Sequence, residues 1–248
     1  MPKYLSGACD FLCHLYPDFD ASRAHPSIQD TITGLKKVCT DPICCMLPIC
    51  LTHLHSFLEI AISSQKYNDI LFITILSCCF YDCHRLGELI LKNGKDEFHW
   101  KKIIKCGSLI FDVDCIYYCL SYHKTDHFYH STTVLFSPQE VADPVTLLQS
   151  FFCHHNPIHG SQTALFLCED GSFPNCVWFD KRFFALINHY FGGHSLYARG
   201  ATYFASLGLS EDVIQALGCW SSQAWTIYIR DNPTIHAELQ LACLFLQH

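Results

Sequence analysis

Cysteine and histidine are the first residues of this chain to suggest chemistry, because 17 cysteines and 16 histidines supply many metal ligands. Two segments, CCMLPICLTHLH and CHHNPIH, are dense in them. The side chains concerned are Cys44, Cys45, Cys50, His53 and His55 in the first segment, and Cys153, His154, His155 and His159 in the second. Neither segment has the paired, short-spaced ligands of a zinc finger or ribbon, so we expect buried reduced thiols, surface histidines, and no metal or cofactor. The alternative, a Cys/His-rich metal protein, would carry stoichiometric zinc after purification.

A second group of reactive side chains lies near the C-terminus. The segment HSLYARGATYFASLG predicts an amphipathic helix, in which His194 alone would be a cap or a surface group. The sequel SEDVIQALGCWSSQAWTIYIRDNP predicts a serine-capped helix, a glycine stop and a second serine-capped start. Trp220 and Tyr228 lie in this sequel, and each alone would be a core aromatic.

Together these segments resemble the catalytic region of the tyrosine recombinases, the phage-integrase-like enzymes that break and rejoin DNA. That family carries His-x-x-Arg, then Gly-x-His/Trp, then a nucleophilic tyrosine about eight residues later. The pattern maps onto His194, Trp220 and Tyr228. The sequence of these segments is most similar to that of copies in fungal transposable elements, in which the corresponding segments read HSLRAGGAT and GRWSS.

Motifs upstream follow the family's order. CHRLGELIL resembles the first arginine box, with Arg85 as phosphate ligand and Glu88 as its supporting acid. SYHKTDHF lies between two predicted strands, where the family keeps a hairpin lysine, and Lys124 matches it. The opening YLSG…YPDFDASRAHPSIQDTITGLKK resembles the end of the family's core-binding domain. Without the resemblance, Arg85 and Glu88 would be a surface ion pair and Lys124 a charge at a hairpin tip.

The resemblance implies a reaction that needs neither ATP nor a metal. Tyr228 would attack a DNA phosphodiester to give a 3′-phosphotyrosyl link. Arg85 would hold the phosphate through its planar guanidinium, and Lys124 would protonate the departing 5′ oxygen. His194 and Trp220 would donate hydrogen bonds to the phosphate.

One family position is altered, because Tyr197 stands where the second catalytic arginine is expected. Arg199 does not substitute, since it lies about 140° around the predicted helix from His194 and about 200° from Tyr197. Losing one charged transition-state contact costs about 2.7 to 4 kcal/mol, so we expect an impaired or inactive enzyme. The alternatives are an active recombinase with another basic group at the phosphate, and a non-catalytic DNA-binding or interaction remnant.

Charge composition opposes tight DNA binding. The net charge is −7 and the chain has only five arginines, which is the wrong sign for a nonspecific grip on the DNA backbone. Cytosine deamination turns arginine codons into cysteine or histidine codons, and into tyrosine codons when both strands are hit. Scarce arginine beside abundant cysteine and histidine therefore suggests a decayed transposon copy; Cys219 also replaces an arginine of the fungal copies.

Hydrophobic periodicity and turn residues predict the elements that must position these groups. The segments SLIFD, CIYYCLSY and TTVLF predict a three-stranded antiparallel sheet, and YPDFDASR predicts a turn. Asp143 with Pro144 predicts a helix start. The other predicted helices are Pro2–Leu15, Pro26–Val38, Leu51–Ser64, Asn68–Cys83, Asp180–Tyr190, Ser195–Leu207, Ser210–Leu217, Ser222–Arg230 and Thr234–Gln247.

The predicted fold is mainly helical (α+β), a tyrosine-recombinase catalytic domain at 47–248 preceded by a truncated helical core-binding fragment and linker at 1–46. A hydrophobic content of 50% supports a sizeable core. The longest apolar run, Ile70 to Phe80, is short of the ~20 residues that span a bilayer, so we expect a buried helix and no membrane partner. No secretion signal is visible, and in a eukaryote we expect a nuclear protein bound to double-stranded DNA. The C-terminal helix would pack in cis or swap onto a second copy in a homo-oligomer.

Overall fold

The computed structural model describes residues 11, 15–16, 18–38, 49–91, 100–120, 132–160, 162–187, 200–205 and 207–217. The chain divides into two compact units, Met1–Cys45 and Met46–His248. The assignment of the first unit to a core-binding fragment stays a prediction.

The smaller unit contains two described helices, α1 (Phe19–Ala24) and α2 (Pro26–Val38). The bounds predicted for α2 are confirmed. The turn predicted for YPDFDASR is wrong in part, because α1 occupies its second half. Aspartate favours helix starts as well as turns, and Asp18 here occupies the N-cap position of α1.

The core of the larger unit forms around two consecutive helices, α3 (Leu51–Ser64) and α4 (Tyr67–Tyr81). Leu54, Phe57 and Ala61 lie one turn apart on α3 and are buried. Helix α4 is buried on all its faces, as its continuous apolar sequence predicts. It packs against α3 and against α6 (Pro144–His159).

Helix α6 begins as its sequence predicts. The Asp143 carboxylate accepts hydrogen bonds from the backbone N–H groups of Val145 (3.1 Å) and Thr146 (3.0 Å), with Pro144 in the first turn. Helix α7 (Cys176–Leu186) begins and ends four residues before the prediction, since Asn175 Oδ1 accepts from the Trp178 N–H at 2.9 Å and caps it earlier. The prediction that α7 starts at Asp180 and ends at Tyr190 is therefore wrong.

The predicted sheet is confirmed. Its strands are β1 (Ile110–Phe111), β2 (Ile116–Leu120) and β3 (Thr132–Phe136), antiparallel in the order β1-β2-β3. Leu120 pairs with Thr132, so the chain between β2 and β3 joins neighbouring strand ends. Alternate residues of β2 face the core, and Tyr118 is fully buried among Phe136, Phe166 and His84.

The remaining described helices are α5 (Leu86–Leu89), α8 (200–205) and α9 (Glu211–Leu217). Residues 200–205 confirm part of the predicted Ser195–Leu207 helix, whose predicted last residue, Leu207, lies in a turn, and α9 agrees with its prediction to within one residue. The helices predicted at Ser222–Arg230 and Thr234–Gln247, and nearly all of Pro2–Leu15, lie outside the described residues. Within the described part of the chain, no helix has the length and apolar character needed to cross a membrane.

Candidate functional site

The first predicted site residue, Arg85, lies in a short connection between α4 and α5. We call residues 82–85 the Arg85 turn. Helix α4 ends at Tyr81 with Asp82 in the C-cap position, and Cys83 has a φ of 51°, in the left-handed region that glycine usually occupies at a helix end. This reversal directs Arg85 away from the axis of α4 and into the N-cap position of α5.

Glu88 holds Arg85 through two contacts. The Arg85 backbone N–H donates to Glu88 Oε2 at 3.1 Å, and the guanidinium Nη1 donates to Glu88 Oε1 at 3.2 Å. The Glu88 side chain is 7% exposed, whereas the Arg85 side chain is 27% exposed. Glu88 is thus a buried anchor, and Arg85 extends from it toward the surface. Their role at a phosphate stays a prediction.

Two neighbours that the sequence motifs did not indicate complete this cluster. His84 Nε2 lies 3.0 Å from Asp82 Oδ2, and His84 Nδ1 lies 3.6 Å from Glu88 Oε2. The His84 side chain is 4% exposed and its ring stacks on Tyr118, with centroids 6.1 Å apart. A signal in the sequence could have indicated these neighbours. The stretch from Ile70 to Leu91 is mostly apolar, and four ionisable residues interrupt it: Asp82, His84, Arg85 and Glu88.

The pKa values in the cluster follow from these contacts. Burial alone would lower the pKa of His84, but the negative charges of the nearby Asp82 and Glu88 carboxylates outweigh it and raise the value to about 9. Burial alone would raise the pKa of Glu88, but His84 and Arg85 hold it below its ordinary value. The two adjacent carboxylates therefore favour the charged form of the buried His84 ring at neutral pH.

Helix α8 packs directly against the Arg85 turn. A Cβ atom added at Gly200 would collide with the Phe80 carbonyl oxygen and lie 2.7 Å from Cys83 Sγ. Ala201 is fully buried and forms a small apolar cluster with Cys83 and Ile214. Gly200 therefore allows an approach that a side chain would block, and it brings the chain that follows His194 and Tyr197 against the turn that holds Arg85.

Five predicted residues lie outside the described part of the chain: Lys124, His194, Tyr197, Trp220 and Tyr228. The structure describes the elements that flank them. Lys124 lies in the connection between the paired ends of β2 and β3, and His194 and Tyr197 precede α8. Trp220 and Tyr228 follow α9.

The Cys/His-rich segments show no metal-binding geometry in the part that the structure describes. No group of three or more potential ligands comes together among the described residues. The prediction of a buried thiol is wrong for Cys153, which is exposed, whereas on α4 Cys78 and Cys79 are buried and burial raises the pKa of both. His155 was expected at the surface, but it is 1% exposed and bonds to Tyr67 and Cys106. The surface prediction is wrong for His155 and also for His159, which is buried.

The order of helices and the three-stranded antiparallel sheet define the fold of a tyrosine-recombinase catalytic domain. No protein-family model matches the sequence, and no curated protein matches it. Solved structures do resemble it. A post-cleavage complex of the XerH site-specific recombinase with palindromic difH substrate superposes with a TM-score of 0.54 at 13% identity, over 82% of this chain and 54% of that chain.

A second structure, the pre-cleavage complex of XerH with difH substrate, gives a TM-score of 0.50 at 15% identity. That match covers 73% of this chain and 49% of the other. The chain therefore spans about half the length of the solved structures it matches. At such low identity the similarity establishes the fold, and the chemistry depends on this chain's own residues.

Proposed function

We propose that this chain is a DNA-binding domain of the tyrosine-recombinase type, with strand cleavage by Tyr228 that is impaired because Tyr197 replaces the second catalytic arginine. The related structures are complexes of a site-specific recombinase with its DNA substrate before and after cleavage, which favours DNA recombination as the ancestral activity. Double-stranded DNA is the proposed partner. Arg85, Lys124, His194 and Trp220 are the proposed phosphate contacts.

The observation that carries this proposal is the packing of α8 on the Arg85 turn. Gly200 contacts Phe80 and Cys83, and Cys83 is two residues before Arg85. Tyr197 is three residues before Gly200, so the polypeptide allows at most ~11 Å between their Cα atoms. This short spacing along the chain supports the proposal that position 197 and Arg85 serve one phosphate.

The electrostatic consequence explains the expected loss of activity. A phosphate in the transition state needs charge neutralisation on both non-bridging oxygens, and a neutral phenol does not supply it. Arg85 reaches the surface from a buried carboxylate anchor, which suits it to hold one of these oxygens. With Tyr197 at the other position, the rate is expected to fall about 10²- to 10³-fold.

The test is covalent trapping on DNA. Purified protein is incubated at low salt with nicked duplexes of randomised sequence, and the adducts are resolved under denaturing conditions. We expect little adduct from the wild-type chain and an increase of about 10²- to 10³-fold from Tyr197→Arg, abolished by adding Tyr228→Phe. Leu207→Arg adds the same charge at an exposed position just after α8 and serves as the matched control.

The outcomes separate the proposed function from its alternatives. Abundant Tyr228-dependent adduct from the wild-type chain would show an active recombinase and contradict the impairment. Low-salt DNA binding with no adduct, even after Tyr197→Arg, would favour a non-catalytic DNA-binding remnant. The net charge of −7 is the observation that favours this second candidate.

The proposed origin is a transposable-element copy, nuclear in a eukaryotic host, that lost arginines through cytosine deamination. Its support is the scarcity of arginine beside 17 cysteines and 16 histidines. Sister copies with arginine at positions 197 and 219 would support this origin, and intact relatives with tyrosine and cysteine there would contradict it. The proposed role of the C-terminal helix, in cis packing or exchange between copies, is tested by sedimentation of the chain with and without DNA.

A further inference from the structure

We propose that His84 is a positioning residue for Arg85: its buried imidazolium neutralises Asp82 and shares Glu88, so that the Arg85 guanidinium stays directed to the surface and keeps its attraction for a DNA phosphate. The inference rests on the proposed function of Arg85. It adds a residue pair, Asp82 and His84, that the arginine-box motif did not indicate.

Geometry shows how the charges are divided. His84 uses both ring nitrogens on carboxylates, with Nε2 at 3.0 Å from Asp82 and Nδ1 at 3.6 Å from Glu88. Arg85 meets Glu88 on the other carboxylate oxygen, at 3.2 Å. Among the described residues two carboxylates therefore face two basic side chains, and these four groups sum to zero charge only when His84 is protonated.

Because these side chains are buried, an unbalanced charge among them is energetically unfavourable. The side chains of Asp82, His84 and Glu88 are 13%, 4% and 7% exposed, so solvent screens them poorly. If His84 were neutral, Asp82 would be an uncompensated carboxylate in a poorly solvated position, which is unfavourable. The adjacent Arg85 guanidinium would then serve two carboxylates, and its attraction to an external phosphate would weaken.

The other titratable groups described around His84 do not supply the positive charge that compensates Asp82. Cys78 and Cys79 of α4 and Tyr118 of β2 face the cluster, and burial raises the pKa of all three. They stay neutral at physiological pH. The imidazolium and the Arg85 guanidinium are thus the cations that the structure places against Asp82 and Glu88.

The first measurement needs no DNA. The imidazole of His84 is titrated by NMR in the full-length chain, with its signals assigned by their loss in His84→Gln. We expect a protonated ring at pH 7.5 that titrates near pH 9. A neutral ring at pH 7.5 would overturn the inference whatever the protein does with DNA.

The second measurement compares the affinity of four proteins for a labelled duplex pool at low salt. His84→Gln leaves one uncompensated negative charge and should weaken binding about fivefold. Asp82→Asn together with His84→Gln removes both charges and should restore wild-type affinity. Asp82→Asn alone removes the carboxylate that does most to keep the His84 ring charged, but it leaves no uncompensated negative charge, so it should bind at least as tightly as wild type. A purely structural role of His84 would not give recovery on losing a second charge.

Arg85→Ala on the same probe separates two kinds of failure. If Arg85→Ala weakens binding but His84→Gln does not, or if the double variant folds and does not recover, the positioning role is wrong and the proposed function stands. If Arg85→Ala has no effect, the proposed function of Arg85 fails and the positioning role fails with it. Circular dichroism at the assay temperature verifies that each variant is folded.

Discussion

The pKa values of two buried histidines in the larger unit are shifted in opposite directions. His84 is 4% exposed and the pKa of its ring is raised to about 9, whereas His155 is 1% exposed and the pKa of its ring is lowered to about 4. Burial acts in the same direction on both rings, since it disfavours the charged form. The partners make the difference, and each region is built around the resulting protonation state.

The neighbourhood of His155 contains hydroxyl, thiol and aromatic groups in place of carboxylates. Tyr67 Oη lies 2.9 Å from His155 Nδ1, and Cys106 Sγ lies 3.4 Å from Nε2 and 3.2 Å from the Ala164 carbonyl. We assign the chain of donors as Tyr67 O–H to Nδ1, Nε2–H to Cys106, and Cys106 S–H to the Ala164 carbonyl. This assignment needs a neutral ring, which burial and the nearby His159 favour.

The comparison shows that burial of a histidine does not by itself indicate its role. Around His155 the network is neutral and satisfied internally, so its contribution is to pack α6 on α4 and on the two separate segments that contain Cys106 and Ala164. Around His84 the network is charged and one member, Arg85, reaches the surface. Only the charged region has the character of a ligand site.

The largest expected effect comes from removing the shared carboxylate. Glu88→Ala leaves His84 and Arg85 without their common partner, and we expect a loss of about 3–5 kcal/mol in the free energy of unfolding. Chemical denaturation at pH 7 measures it. The control is Glu59→Ala, since Glu59 is 65% exposed in its 3.7 Å pair with His55 and should contribute no more than about 1 kcal/mol. Equal losses in the two variants would contradict the distinction between the regions.

Gly200→Ala should have the next largest effect. The new Cβ would meet the Phe80 carbonyl oxygen, which cannot rotate away, so α8 must move from the Arg85 turn. We expect a loss of about 2–3 kcal/mol by denaturation, together with weaker DNA binding. Gly87→Ala is the matched control, because no atom lies within 4 Å of its added Cβ. A stable Gly200→Ala protein would show that this approach is not tight.

A smaller effect is expected in the neutral network. Tyr67→Phe removes the hydroxyl that bonds His155 Nδ1 and leaves that buried acceptor unsatisfied, so we expect a loss of about 1–2 kcal/mol in the free energy of unfolding. Tyr16→Phe, at a position 60% exposed, is the control and should change little. DNA binding should be unaffected by both substitutions, and a selective loss in Tyr67→Phe would break the separation between the two regions.

The last expected effect lies in how stability depends on pH. The pKa of His84 is raised on folding, so its contribution is full below pH 6.5 and is lost as pH rises through about 9. The pKa of His155 is lowered on folding, so it destabilises the protein as pH falls from 6.5 toward 4. Chemical denaturation across this pH range measures the difference in the free energy of unfolding between wild type and His84→Gln. We expect that difference to shrink as the pH rises through about 9. The Tyr67→Phe difference should not follow that pattern.

Regular patterns in the sequence were sufficient for most of the fold. Helices α2 and α3 have the predicted bounds, and the strands follow the segments rich in β-branched and aromatic residues. The errors occurred where local signals compete: Asp18 favours a turn or a helix start, and Asn175 caps α7 before the predicted Asp180. A cap acts through one hydrogen bond, so its position shifts with little change in composition.

The candidate site was only partly predictable. Arg85 and Glu88 are three residues apart and interact within one turn, a relation that short-range geometry determines. The expectation of surface histidines failed for His155, because burial there depends on Tyr67 and Cys106, 88 and 49 residues away in the chain.

The sequence by itself determined most of the helical and strand elements, the three-residue spacing of Arg85 and Glu88, and the tyrosine at position 197, because these depend on residue types and short spacings. Tertiary structure decided which histidine is charged and which glycine permits close packing. His84 and Gly200 look ordinary in the sequence, and their roles arise from a carboxylate pair and from a backbone carbonyl on another helix. Charge state and steric fit depend on distances across the fold, and those exist only once the chain has folded.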